Sequence, residues 1–220
     1  MHRRLLVRAL ASALIFLGVS FATLLAASAA TVTVHVFGFD YSVNPQGQKI
    51  VDPVIDVGDT IHWVWDSGGH NVQSVKGSME TFKTGILATG ATYDYTFHNA
   101  GQVVYFCLPH GTDLGNGKAS GMAGTVTISY PGDANLDFKV DLSDFGILKD
   151  NFGSGSTRAQ GDFSRDGKVD LGDFGLLKDN FGRGAATVPE PATGWLLLVG
   201  AAAWLLRRRR NASGGSTTGG

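Results

Sequence analysis

The chain has 220 residues, with 18 Lys and Arg against 19 Asp and Glu, six histidines and one cysteine. The formal charge of −1 hides an asymmetry. All 19 acidic residues lie between Asp40 and Glu190 while only 11 of the basic ones do, so the body of the chain sits near −8. That balance excludes a nucleic-acid surface, which needs clustered Lys and Arg, and a lone cysteine excludes an internal disulfide.

Residues 1–29 have the layout of a secretory signal peptide. Arg3, Arg4 and Arg8 precede an apolar run that closes on Ala27-Ser28-Ala29, a small-residue cleavage site. The chain is therefore expected to be exported. Residues 30–131 then alternate in polarity. "TVTVHVFGF", "IDVGDTIHWVWDS", "ATYDYTFHNAGQVVYFC" and "GTVTISY" are separated by glycine-rich turns. Short, evenly spaced strands of this kind predict an antiparallel sandwich or barrel. Trp63 and Trp65 share one strand face and are expected in its core. His35 and His62 read as ordinary strand residues, and His98 as a turn residue.

A free thiol in an exported protein is a liability unless something ligates it. Cys107-x-x-His110 puts a soft thiolate and an imidazole on one tight segment. "DSGGHNVQS" offers His70 as a third ligand, and Met122 is the candidate fourth. Two histidines and a cysteine with a weak axial methionine make a blue-copper electron-transfer site. No Ser-His-Asp set or nucleotide loop stands out, so no enzyme is expected.

"VGDTIHWVW", "GHNV", "GQVVYFCLPH" and "GMAGTVTI" occur in an order that resembles the plastocyanin/halocyanin branch of the cupredoxins. The resemblance implies an eight-stranded Greek-key β-sandwich holding type 1 copper through His70, Cys107, His110 and Met122. It also implies that Asn71 ties the two ligand loops together. One departure stands out. Eleven glycine-rich residues, "GTDLGNGKASG", separate His110 from Met122, where the family usually has about four. Two arrangements fit: an outward bulge that returns Met122 to the metal, or a displaced Met122 and a three-ligand site.

Residues 132–183 contain a repeat with a period of 29. "DANLDFKVDLSDFGILKDNFG" from Asp133 returns as "DFSRDGKVDLGDFGLLKDNFG" from Asp162. Oxygen side chains recur at loop positions 1, 3, 5, 9 and 12. They are Asp133, Asn135, Asp137, Asp141 and Asp144, then Asp162, Ser164, Asp166, Asp170 and Asp173. Lys139 and Lys168 supply a backbone carbonyl at position 7. This is the pattern of oxygen ligands around Ca²⁺ in an EF-hand loop. Position 6 calls for glycine; Gly167 complies and Phe138 does not, so the second loop is expected to bind more tightly. Leu142, Phe145, Leu148 and Phe152 recur at helical spacing and predict an apolar helix face, ended by Gly153. Calcium is expected to order this module and leave the sandwich almost unchanged.

The pair resembles a type I dockerin, a small α-helical calcium-binding domain. That resemblance implies a cohesin-like partner contacted through loop positions 10 and 11, here Leu142-Ser143 and Leu171-Gly172. Neither is the Ser-Thr pair often met there.

Residues 184–210 hold Val188-Pro189-Glu190-Pro191-Ala192, an apolar stretch to Leu206, and four arginines. They resemble the PEP-CTERM sorting signal. This implies a Gram-negative-type bacterium, transient membrane anchoring by a short transmembrane helix, and processing by an exosortase. Residues 211–220 read as a disordered tail. The whole predicts a mainly β, exported copper protein passing single electrons to an unidentified redox partner in the periplasm, at the cell surface or in the matrix. A matrix scaffold with a structural cupredoxin domain, and a copper storage or delivery protein, are the alternatives.

Overall fold

The computed structural model describes residues 29–184. The expected signal peptide, sorting signal, transmembrane helix and tail lie almost wholly outside them. No helix among the described residues is long and apolar enough to cross a membrane.

Eight strands form two four-stranded sheets. In chain order they are β1 (Thr31–Phe37), β2 (Asp40–Ser42), β3 (Val54–Asp56), β4 (Thr60–Trp65), β5 (Gln73–Ser74), β6 (Thr92–Thr96), β7 (Gly101–Asp113) and β8 (Ala119–Ser129). One sheet runs β2-β1-β4-β6 and the other β3-β8-β7-β5. The β1–β4 and β3–β8 pairs are parallel and the others antiparallel. The expectation of a wholly antiparallel sandwich is corrected at those two pairs, where β1 and β3 each reach a partner outside a hairpin.

The alternation that predicted the strands also builds the core, because successive side chains point to opposite faces. On β4, Ile61, Trp63 and Trp65 turn inward while Thr60, His62 and Val64 turn outward. They meet Val34 and Val36 of β1, Val103 and Tyr105 of β7, and Met122, Val126 and Ile128 of β8. His35 and His62 face outward and pair with Asp66 and Asp94 at 2.8 and 2.6 Å.

The β7–β8 ladder positions the candidate site. Its register is regular from Gly101↔Ile128 to Phe106↔Ala123, breaks, and resumes at Gly111↔Gly121. Residues 107–110 bulge out of that break. The eleven residues before Met122 continue as a β-hairpin whose ends pair Asp113 with Ala119. Gly121, with a φ of 76°, passes so close to the His110 carbonyl that any Cβ would clash.

Beyond the sandwich lie two ten-residue helices, α1 (Leu142–Asn151) and α2 (Leu171–Asn180). Each opens with a capping box, Asp141 with Asp144 and Asp170 with Asp173. Gly153 N–H donates to Val169 O and Gly182 N–H to Val140 O, so each helix end is tied to the other copy's loop. The core is Ala134, Val140, Leu148, Phe163, Val169, Leu176 and Leu177. The expected apolar face is corrected here. Leu148 is buried, but Leu142 is 74% exposed and Phe145 and Phe152 also reach the surface. The loop residues Val140, Val169, Ala134 and Phe163 fill much of this small core, leaving little room for the rest of each helix's apolar face.

Candidate metal centre

His70 follows β4, and Cys107 and His110 stand in the β7 bulge. The structure brings them together. His70 Nδ1 and His110 Nδ1 are 3.1 Å apart, and Cys107 Sγ lies 3.8 Å from the first and 3.4 Å from the second. Among the described residues, no other group of three or more His, Cys, Asp or Glu gathers its ligand atoms within 4.8 Å. Cys107 and His70 are buried; His110 is half-buried. Burial, and then the neighbouring His110 imidazole, push the His70 imidazole below its ordinary pKa. That favours the neutral ring, the form a metal binds. Both imidazoles turn the same nitrogen toward the sulfur, and the donor set is the soft one that suits copper.

Met122 lies on β8 between Gly121 and Ala123, against the bulge, 1% exposed and in the same packed cluster as Cys107. The insertion projects as a hairpin between β7 and β8, and Met122 resumes the β8 register beside the bulge.

The ligand segments are held from several directions. Asn71 Oδ1 accepts the Leu108 N–H at 2.6 Å, which ties the His70 loop to the Cys107 segment. Trp65 Nε1–H donates to His70 O at 2.9 Å, and the Tyr41 hydroxyl donates to Asn71 O at 2.5 Å. Tyr41 and Trp65 were not recognised as site residues in the sequence. Trp65 read as core, and Tyr41 sits in a three-residue strand too short to show a pattern. Phe39, 68% exposed, stands edge-on to His110 with ring centroids 5.1 Å apart. Together these contacts fix two nitrogens and one sulfur in place before any metal arrives.

The repeat loops place their residues differently. Asp133 Oδ1 accepts from Leu136 N–H and Oδ2 from Phe138 N–H and the Ser129 hydroxyl. Asn135 accepts from Asp137 N–H, and Asp137 from Lys139 N–H. In the second loop Asp162 Oδ2 accepts from Gly167 N–H and Asp166 from Lys168 N–H. Ser164 donates its own N–H to Asp173 Oδ1. Asp144 and Asp173 close each loop onto its first residues, and Asp141 and Asp170 cap the helices. Phe138 takes the left-handed conformation that position 6 demands, with a φ of 66° against 84° at Gly167. The carboxylates of neither loop draw as close as the His-Cys-His group.

A Cys-His-His donor set at one end of an eight-stranded sandwich defines a mononuclear copper-protein domain. Residues 49–129 match the family of copper binding proteins, plastocyanin/azurin family, so the chain carries a cupredoxin domain. Residues 187–210 match the PEP-CTERM protein-sorting motif. A halocyanin from Natronomonas pharaonis is 36% identical over 77 residues, 34% of this chain. The chain spans 43% of that relative's length. Solved structures with a similar chain include an oxidised amicyanin variant, 25% identical over 44% of this chain and 80% of its own, with a TM-score of 0.34. A copper-containing nitrite reductase from Thermus scotoductus is 23% identical over 44% of this chain and 22% of its own, also at 0.34.

Proposed function

We propose that this protein is an exported carrier of single electrons whose copper is held by His70 Nδ1, Cys107 Sγ and His110 Nδ1, with Met122 as a weak axial ligand. The observation that carries the reading is the convergence of three donor atoms in a largely buried pocket. Bound there, copper supplies a one-electron couple. The protein supplies rigidity. With Asn71, Tyr41 and Trp65 clamping both ligand segments, little moves when the metal's charge changes. His110 is the most exposed of the three ligands, so its edge is where an electron enters or leaves. Phe39 beside it offers an apolar contact to the redox partner. The absorption spectrum of the copper-loaded protein tests this. A strong visible thiolate-to-copper band is expected; a colourless, fully loaded protein overturns the reading.

The paired loops are a dockerin-like module that binds Ca²⁺ through the side chains at positions 1, 3, 5, 9 and 12 and the carbonyls of Lys139 and Lys168. The bonds inside each loop and the left-handed residue at position 6 support this. Leu142 and Leu171, 74% and 75% exposed, are the residues a cohesin-like partner would meet. Calcium titration of Asp133→Ala and Asp162→Ala tests the module, with the larger loss expected from Asp162→Ala. The sorting motif fits processing by an exosortase after transient anchoring, which leaves the copper domain outside the cytoplasm.

A further inference from the structure

The repeat and the sandwich meet in a buried ionic cluster far from the copper ligands. Asp56 ends β3 and Asp59 stands in the turn before β4; they are 5% and 3% exposed. Arg158 Nη1 lies 2.7 Å from Asp56 Oδ1. Arg165 Nη2 lies 2.7 Å from Asp56 Oδ2 and 2.6 Å from Asp59 Oδ2. Arg158 also donates to the carbonyls of Tyr130 and Asp133, so it bridges the end of the sandwich and the first loop. Arg165 is position 4 of the second loop, between Ser164 and Asp166, and holds a φ of 63°. The backbone of that loop therefore decides where its guanidinium points.

The second loop also has an unspent ligand. Asp162 is 5% exposed, and its Oδ1 has no hydrogen-bond partner. A buried acceptor left unmade is costly, and a cation in the loop removes that cost. The first loop differs, since both Asp133 oxygens are engaged there and one of them takes the Ser129 hydroxyl.

We propose that divalent-cation binding in the second loop is linked through Arg165 to the docking of the repeat on the copper-distal end of the sandwich. The cation fixes the backbone of residues 162–168. That backbone fixes Arg165, and Arg165 neutralises Asp56 and Asp59. Linkage is reciprocal: loss of the Asp56 contact weakens the cation, and the cation stabilises the sandwich. The inference rests on the calcium reading and extends it from the module to the copper-bearing body. It replaces the expectation that calcium leaves the sandwich almost unchanged.

The test is calorimetric titration of the purified chain with CaCl₂, for the wild type, Asp56→Asn and Asp94→Asn. The Asp56 side chain hydrogen-bonds only with the two arginines and lies in neither loop. Asp94, exposed on β6, removes the same charge elsewhere. The coupling expected for such linkage is about 5- to 150-fold. Asp56→Asn should lose affinity within that range while Asp94→Asn stays at the wild-type value. The rise in melting temperature that calcium gives the sandwich, followed by tryptophan fluorescence, should shrink in Asp56→Asn alone. Should Asp56→Asn fail to fold, Arg165→Lys keeps the charge but loses the fork that spans two carboxylates, and the same loss is expected of it. Equal calcium affinity in the wild type and the folded variant overturns the linkage and leaves the calcium reading standing. No calcium binding by the wild type overturns both.

Discussion

The two ends of the sandwich both bury polar side chains, and they do so to opposite effect. Beyond β4, His70, Cys107 and His110 point their donor atoms at one another, and the Tyr41 hydroxyl, which donates to Asn71 O, stands beside the sulfur. At the other end, beside the start of β4, Glu80 is 4% exposed and fully employed. It accepts from the N–H groups of His98 and Asn99, the Asn99 side chain and the Tyr95 hydroxyl, each at 2.8–2.9 Å. A buried group whose lone pairs are already spent is structural. Donors that converge with their lone pairs unspent are waiting for a ligand. That distinction, more than residue type, separates His70, Cys107 and His110 from Glu80.

Removing one member from each end sharpens the contrast. The largest effect is expected at the copper end. Cys107→Ser replaces the thiolate with a hydroxyl that does not ionise near neutral pH, and the visible band should vanish while the melting temperature of the metal-free protein barely changes. Optical titration with Cu(II) checks it. Glu80→Gln should do the reverse. It leaves the copper spectrum alone and lowers stability at neutral pH by about 2 kcal/mol, since hydrogen bonds to a charged acceptor are the stronger kind. The pH dependence has a definite sign. Burial alone would raise the Glu80 carboxyl, but the four donors outweigh it and hold its pKa below the ordinary value. Its contribution is therefore present above the unfolded value of about 4.3 and is lost as pH falls through the lower folded value. Melting curves of the wild type and Glu80→Gln should converge in acid. If they stay parallel, Glu80 is not the ionised hub described here.

Much of this was legible in the sequence because the signals were local. The Ile61–Trp63–Trp65 alternation gave the strand and its inward face. Cys107-x-x-His110 and the His70 segment gave three donors that the fold brings together, since cysteine and histidine carry their chemistry wherever the fold puts them. What escaped depends on contacts across the chain. Tyr41 reaches Asn71 from a strand of three residues, and Arg165 meets Asp56 across more than a hundred positions. The helix faces were misjudged because periodicity shows which residues share a face but not whether anything covers it; Phe145 and Phe174 lie 6.1 Å apart at their ring centroids and both reach the surface. The hairpin before Met122 could not be read from loop length, which says how far a chain can go and not whether it comes back.

A smaller effect is expected where the two ligand segments are joined. Asn71→Ala removes the acceptor for the Leu108 N–H, a partly exposed group that water can satisfy, so the fold should lose only about 1 kcal/mol. The copper should notice more. Partners that orient metal ligands typically change affinity by about 10- to 100-fold, and competition with a copper chelator should place Asn71→Ala at the low end of that range. An unchanged affinity would show that Tyr41 and Trp65 suffice to hold the His70 loop.

The smallest change concerns Met122, where the two roles of the copper end come apart. Its side chain is buried among apolar neighbours, so Met122→Leu conserves volume and polarity and should cost less than about 1.5 kcal/mol. An axial thioether is a weak, long ligand that tunes the metal without retaining it. The variant should keep its copper and its colour while the reduction potential shifts, which voltammetry of the loaded protein measures. The hairpin makes this a sharp test of the fold as well as of the ligand. Gly111 and Gly121 sit where any Cβ would strike backbone atoms of the opposing strand, so the hairpin and Met122 occupy one fixed register. A potential unmoved by Met122→Leu, with the copper still bound, would mean that this register packs the methionine into the core and leaves the metal with three protein ligands.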